Sequence, residues 1–156
     1  MMLDGDTVFR IRATDQIDLP VVELDYGHAV LNTAGKTGLR VQLELGEHSG
    51  IATISAPDSE LALEVQKLLP PGTTPGEGPV SIVRWNATKG TVEWESKGSG
   101  ESTSISKGQM QIAMSGQPPQ IAEVDGPPIW LTRKNLSTLD RRASRDLEGF
   151  LNSNKA

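Results

Sequence analysis

Side chains capable of chemistry are few in this chain and poorly grouped. It has two histidines, His28 and His48. Neither sits in a spacing such as H-x-H or H-E-x-x-H, which would aim two imidazoles at one metal ion. Glu44, Glu47 and His48 could converge on a cation, yet residues 46–50 read as a turn, where polar groups are expected anyway. A metal-dependent cupin needs paired histidines and a carboxylate facing into a barrel, and no such set is offered. Ser104-Ile105-Ser106-Lys107 matches the S-x-x-K nucleophile motif. That motif works on a helix, where one turn sets the amine against the hydroxyl; here it runs along a strand into Gly108. The acids Glu23, Asp25, Glu93 and Glu95 are spread along strands, and nothing selects the close pair that glycoside hydrolysis requires. There is no G-x-S-x-G and no Gly-rich loop between a strand and a helix. With no cysteine in the chain, thiol chemistry and thiolate metal sites are excluded, though the redox compartment stays open. We expect no enzyme, no cofactor and no metal.

Binding residues are the other possibility. Trp85 and Trp94 fall on neighbouring predicted strands and are expected to pair, in the core or at an interface, with an exposed sugar-stacking platform as the alternative. Tyr26 joins them as a candidate ligand or partner contact. Arg141-Arg142-Ala143-Ser144 has the look of a basic kinase site and reads more simply as a solvated helix face. Asn86-Ala87-Thr88 and Asn135-Leu136-Ser137 are glycosylation sequons, meaningful only in a eukaryotic secretory setting.

The elements that would position these residues are strands. Leu39-Arg40-Val41-Gln42-Leu43-Glu44-Leu45 alternates strictly, placing apolar residues on one face and polar ones on the other. Similar runs are read at 7–13, 21–25, 28–32, 50–56, 60–65, 80–85, 91–95, 102–106 and 109–114. Glycines such as Gly27, Gly90 and Gly108 stand where one strand is expected to turn into the next. Residues 70–79, rich in Pro and Gly, can form neither ladder nor helix and read as a surface loop between two halves of one domain. The period changes at the end of the chain: Ser137 caps a predicted helix whose Leu139, Ala143, Leu147, Phe150 and Leu151 share one stripe. The expected fold is all-β, a sandwich or solenoid-like stack of about ten to twelve short strands, with one C-terminal amphipathic helix.

The 156 residues suit one domain with a real core. Hydrophobic residues make up 36% and aromatics only 4%, so Val, Ile, Leu and Ala must fill it. A net charge of −5 argues against nucleic acid, whose phosphates require a concentrated basic face. No run approaches the roughly 18 apolar residues that span a bilayer, so no direct membrane insertion by this segment is expected. The opening Met1-Met2-Leu3-Asp4-Gly5-Asp6 carries acids where a secretory leader carries Lys or Arg. The abrupt entry into a strand at Thr7 points to a piece of a longer, anchored protein.

Leu24-Asp25-Tyr26-Gly27-His28-Ala29-Val30, then 39–45, then the run Ala52 to Val65 through Ala56-Pro57, resemble the FecR-like domain of bacterial envelope proteins. Lys89-Gly90-Thr91-Val92-Glu93-Trp94 followed by Ile105-Ser106-Lys107-Gly108-Gln109 is similar to the later repeat of that family. Pro127-Pro128-Ile129-Trp130-Leu131 looks like its exit segment. The likeness covers roughly residues 7–131. It implies a FecR-like domain over 3–131, followed by a helix and tail over 132–156. It further implies a periplasmic, non-enzymatic regulatory module, the extracytoplasmic part of a membrane-anchored protein. Its partner would be an envelope protein, a receptor or a membrane regulator. A carbohydrate-binding sandwich, taking polysaccharide on Tyr26, Trp85 or Trp94, is the alternative.

Overall fold

In a computed structural model, residues 2–3, 7–12, 19–33, 38–132, Arg145 and Gly149 are described. The elements, in chain order, are β1 (Met2–Leu3), β2 (Val8–Arg12), β3 (Val21–Asn32), β4 (Leu39–Leu45), β5 (His48–Ile54) and β6 (Glu60–Leu68). After a Pro/Gly-rich loop come β7 (Val80–Lys89), β8 (Thr91–Ser96), β9 (Ser102–Ser106), β10 (Gln109–Met114), β11 (Gln120–Glu123) and a single 3-10 turn, Ile129–Thr132. All the strands belong to one sheet of 11, whose continuous path runs β11-β10-β7-β6-β3-β4-β5-β8-β9, with β1 and β2 pairing beside it on β3.

This corrects the expected architecture. The sheet is not split into a sandwich or stacked as a solenoid; its nine-stranded path curls into a nearly closed barrel. No helix of seven or more residues occurs among the described residues. Residues 137–151, where an amphipathic C-terminal helix was expected, lie outside the described residues, Arg145 and Gly149 excepted. The reason the sheet stays whole is β3. Its first part, Val21 to Leu24, pairs parallel with β4, while Gly27 to Asn32 pairs antiparallel with β6. One long strand therefore serves both flanks of the barrel.

Gly27 is accordingly not the turn that the sequence pattern suggests. Its φ of 103° bends β3 at the corner without ending it. Gly90, with φ 72°, does join two strands, β7 and β8, yet these do not pair with each other. There the chain passes from one flank to the other. The glycine-punctuated repeats thus mark flank crossings more than hairpins.

The alternation does what it predicts. In β4, Val41, Leu43 and Leu45 point inward and are buried, and Ala52 and Ile54 of β5 meet them. Val22, Leu24, Leu31, Leu61, Leu63, Val65, Val83, Val92 and Ile105 complete one interior cluster with Trp85 and Trp94. Apolar burial of this kind contributes about 25 cal/mol per Å². Among the described residues no helix is long and apolar enough to cross a membrane, which says nothing of β-barrel insertion.

Candidate functional site

The polar feature with the most structure behind it lies on the outer face of the β3–β6–β7 flank. Register places His28 opposite Glu64, and Glu64 opposite Arg84. Alternation turns all three outward, while their neighbours Ala29, Leu63, Val65, Val83 and Trp85 enter the core. Glu64 is the hub. His28 Nε2 and the Gln66 amide donate to its Oε1, at 3.1 and 2.8 Å, and Arg84 donates to Oε2 at 3.1 Å. The hydrogen bond from His28 holds the Glu64 carboxyl below the usual carboxylate range; Arg84 adds to this and burial opposes it. Thr7 fixes the backbone of His28, its hydroxyl accepting from the His28 N–H at 3.1 Å.

The segment after β11 closes over this row. The ring of Trp130 stacks on His28, with centroids 4.5 Å apart and planes at 23°. Val30 and Ala62, two register positions along from His28 and Glu64 on the same face, are buried although they stand outside the interior cluster. Between strap and sheet remains a cavity of about 220 Å³, lined by Ala62, Glu64, Arg84, Asn86, Met110 and Trp130 together with Val124, Gly126 and Pro128.

A depressed carboxylate makes a testable prediction here. Its contribution to stability is complete above the unfolded value of 4.5 and is lost as pH falls through the lower folded value. Glu64→Gln should therefore destabilise the protein at pH 7 by about 1–3 kcal/mol, because it leaves Arg84 without its anion. Below pH 4 the gap between parent and variant should narrow. Urea unfolding at both pH values measures this; a gap independent of pH would refute the assignment.

The residues singled out in the sequence are placed elsewhere. Trp85 and Trp94 do meet, at 5.0 Å and 41°, but across the barrel interior rather than on neighbouring strands, because β7 and β8 do not pair and lie on different flanks. They are 1% and 4% exposed, and Trp85 Nε1 donates to the buried Gln111 Oε1 at 3.0 Å. Tyr26 is 42% exposed at the β3 corner, beside Gly27 and apart from both tryptophans. His48 lies on β5, its pKa lowered by burial against an opposing effect of Glu47. Among the described residues no group of three His, Asp or Glu could hold a metal ion. Asn86 of the first sequon is buried. Glu64 and Arg84 carried no signal in the sequence. They stand 36 and 56 positions beyond His28, and only strand register unites the three.

No protein-family model matches this sequence, and no curated protein matches it. Two crystal structures of a putative anti-sigma factor from Parabacteroides distasonis ATCC 8503 are similar in fold. The TM-scores are 0.56 and 0.55, at 15% identity in each case. The match covers 96% of this chain and 65% and 64% of that protein, so the chain spans just under two thirds of its length. At this identity the likeness is one of fold.

Proposed function

We propose that the chain is a non-enzymatic regulatory module of the bacterial envelope, a FecR-like domain that acts by contacting another protein outside the cytoplasm. The observation that carries this reading is the fold, shared over nearly the whole chain with a protein described as a putative anti-sigma factor. The FecR resemblance, drawn from separate short motifs, leads to the same class of protein. The polar groups of the outer face are engaged with one another in a hydrogen-bonded row, as suits a scaffold. Its partner is a receptor or a membrane-bound regulator, met by exposed loops and strand edges such as the β3 corner at Tyr26. Of the three aromatics that the carbohydrate reading would stack on sugar, Trp85 and Trp94 are inside the barrel and Tyr26 is exposed.

Site-specific photo-cross-linking tests this. A photoreactive residue at Tyr26, and another at Glu101 in the β8–β9 loop, would be introduced and the protein mixed with a bacterial envelope fraction. The expected result is one discrete protein adduct from at least one position, identified by mass spectrometry as a membrane-embedded or receptor protein. Adducts with polysaccharide alone, or none from either position, would overturn the reading.

A further inference from the structure

The continuous path of the sheet has two ends, and they are guarded differently. β11, at one end, stands between Pro118-Pro119 and Pro127-Pro128, and proline cannot donate to a further ladder. β9, at the other end, pairs with β8 alone. Its run Ser102-Thr103-Ser104-Ile105-Ser106 holds no proline and no charge, the devices that keep most edge strands from pairing.

Register shows which backbone groups of β9 are open. Ser96 donates to the Glu101 carbonyl at 2.9 Å, and Lys107 donates to that of Gly90 at 2.9 Å. In an antiparallel ladder such bonds fall on alternate residues, so the odd-numbered residues of β9 face β8. Ser102, Ser104 and Ser106 turn their N–H and C=O groups the other way. The Ser106 N–H is capped by Gln109 Oε1 at 3.0 Å. Those of Ser102 and Ser104 meet no strand among the described residues.

This edge continues a row that is already occupied. β9 runs on through Lys107-Gly108 into β10, whose side away from β7 carries β11. The last rung of β11 is the Val124 N–H on the Gly108 carbonyl at 2.8 Å. The same register would set Pro128 against Ser104, with no N–H to give. The chain bends off at residues 125–127 instead and carries Trp130 onto His28. The row therefore stops at the corner, and its continuation along β9 is a place for one more strand.

The neighbouring side chains say what kind of strand. Glu93 and Glu95 of β8 stand opposite Ser104 and Ser102, exposed on the outer face, and make no ion pair with the described residues. An added strand would lie two strand spacings from β8, about 10 Å, and serine is short enough for a Lys or Arg to reach across. On the inner face Thr103 is half-buried and Ile105 buried, which suits apolar residues. A second copy of this chain, of net charge −5, would bring a further row of the same acids. Charge thus favours a basic occupant.

We propose that the free edge of β9 receives an extended segment of another protein by strand addition, with Lys or Arg at alternate positions and β-branched apolar residues between them. The backbone of Ser102 and Ser104 supplies the attachment, and Glu93 and Glu95 select the charge. The inference rests on the reading that this chain acts by contacting another protein, and says where and by what chemistry.

The probe is a short capped peptide alternating Val and Lys. It is compared with the same peptide carrying Glu for Lys, and with one N-methylated at its lysines, whose N–H groups would face β9. Nitrogen-15 spectra of the full chain at low salt, where surface charge is least screened, follow the amide signals. The Lys peptide should bind saturably, about tenfold or more tighter than the Glu peptide. Its shifts should centre on Ser102 and Ser104, with slowed exchange of their amides, and the N-methylated peptide should not bind. Ser104→Pro removes an outward N–H without touching a bond to β8, and should abolish binding while the strand circular dichroism persists. Glu93→Lys combined with Glu95→Lys should reverse the preference between the two peptides, and decides the matter if the proline variant fails to fold. Equal binding of the N-methylated peptide, shifts away from β9, or no binding would overturn the proposal. So would amides of Ser102 and Ser104 already protected in the free chain. Protection that grows with concentration would mean a second copy at this edge, and constant protection the chain's own residues. A discrete adduct from Tyr26 beside any of these failures would keep the contact reading and remove this edge alone.

Discussion

Replacing Trp85 with alanine is expected to bring the protein close to unfolding. Its side chain is among the largest that are fully buried, and it packs on Trp94 in the middle of the interior cluster. Losing it leaves a cavity worth about 3–5 kcal/mol. The change also strands the Gln111 carbonyl, which is buried and accepts from the indole N–H; a buried acceptor left unpaired costs about 1–3 kcal/mol more. Against a total stability of about 5–15 kcal/mol for a domain this size, that is most of what is available. The two contributions can be separated. Trp85→Phe keeps an aromatic ring and strands Gln111, and adding Gln111→Leu removes the stranded group. The double variant should then be more stable than Trp85→Phe alone, although it carries one more substitution. Urea unfolding followed by circular dichroism supplies all three values. A Trp85→Ala protein within about 1 kcal/mol of the parent would contradict the central place assigned to this ring.

How far the sequence foretold the fold varies by element, and the reasons are physical. β4 was legible in full because strict alternation specifies both strand and buried face, and Val41, Leu43 and Leu45 are buried as the pattern requires. β9 and β10 were legible for the same reason. β11 was not, since Gln120-Ile121-Ala122-Glu123 is short and follows two prolines; it is an edge strand held by pairing with β10. Closure of the barrel was illegible in principle. Alternation tells which side of a strand is wet, and a sandwich and a barrel wet the same residues. Of the candidate site, Trp130 stands in the exit segment of the FecR resemblance and His28 in its first strand motif, and neither reading brings the two together. Glu64 and Arg84 lie on different strands with nothing in the sequence to link them, and a one-residue slip of β6 would turn Glu64 into the interior and break the row. Register, set by pairing over distance, makes them a row.

The second large effect is expected at Gly27, where two causes of strain coincide. Its φ of 103° lies where an L side chain is rarely accommodated, a cost of about 1–3 kcal/mol. An added Cβ would also lie 2.7 Å from the Cα of Thr7, with the Thr7 hydroxyl closer still. Backbone cannot swing aside as a flexible side chain can, and overpacking of this sort costs about 1–3 kcal/mol more. The same contact holds the Thr7 hydroxyl against the His28 backbone, so the cost should reach the outer row as well as the corner. Gly116 provides the control. It has a φ of 74°, and nothing lies within 4 Å of the Cβ it would gain. Gly116→Ala should therefore show the conformational cost alone, and Gly27→Ala the conformational cost plus the collision. The two variants should differ by about 1–3 kcal/mol in urea unfolding. In Gly27→Ala, but not in Gly116→Ala, the nitrogen-15 signals of His28 and the Trp130 indole should move. Equal destabilisation of the two, with the outer-face signals unmoved, would mean that the β3 corner yields freely. Gly27 would then be an ordinary positive-φ glycine and not the joint that lets one strand serve both flanks of the barrel.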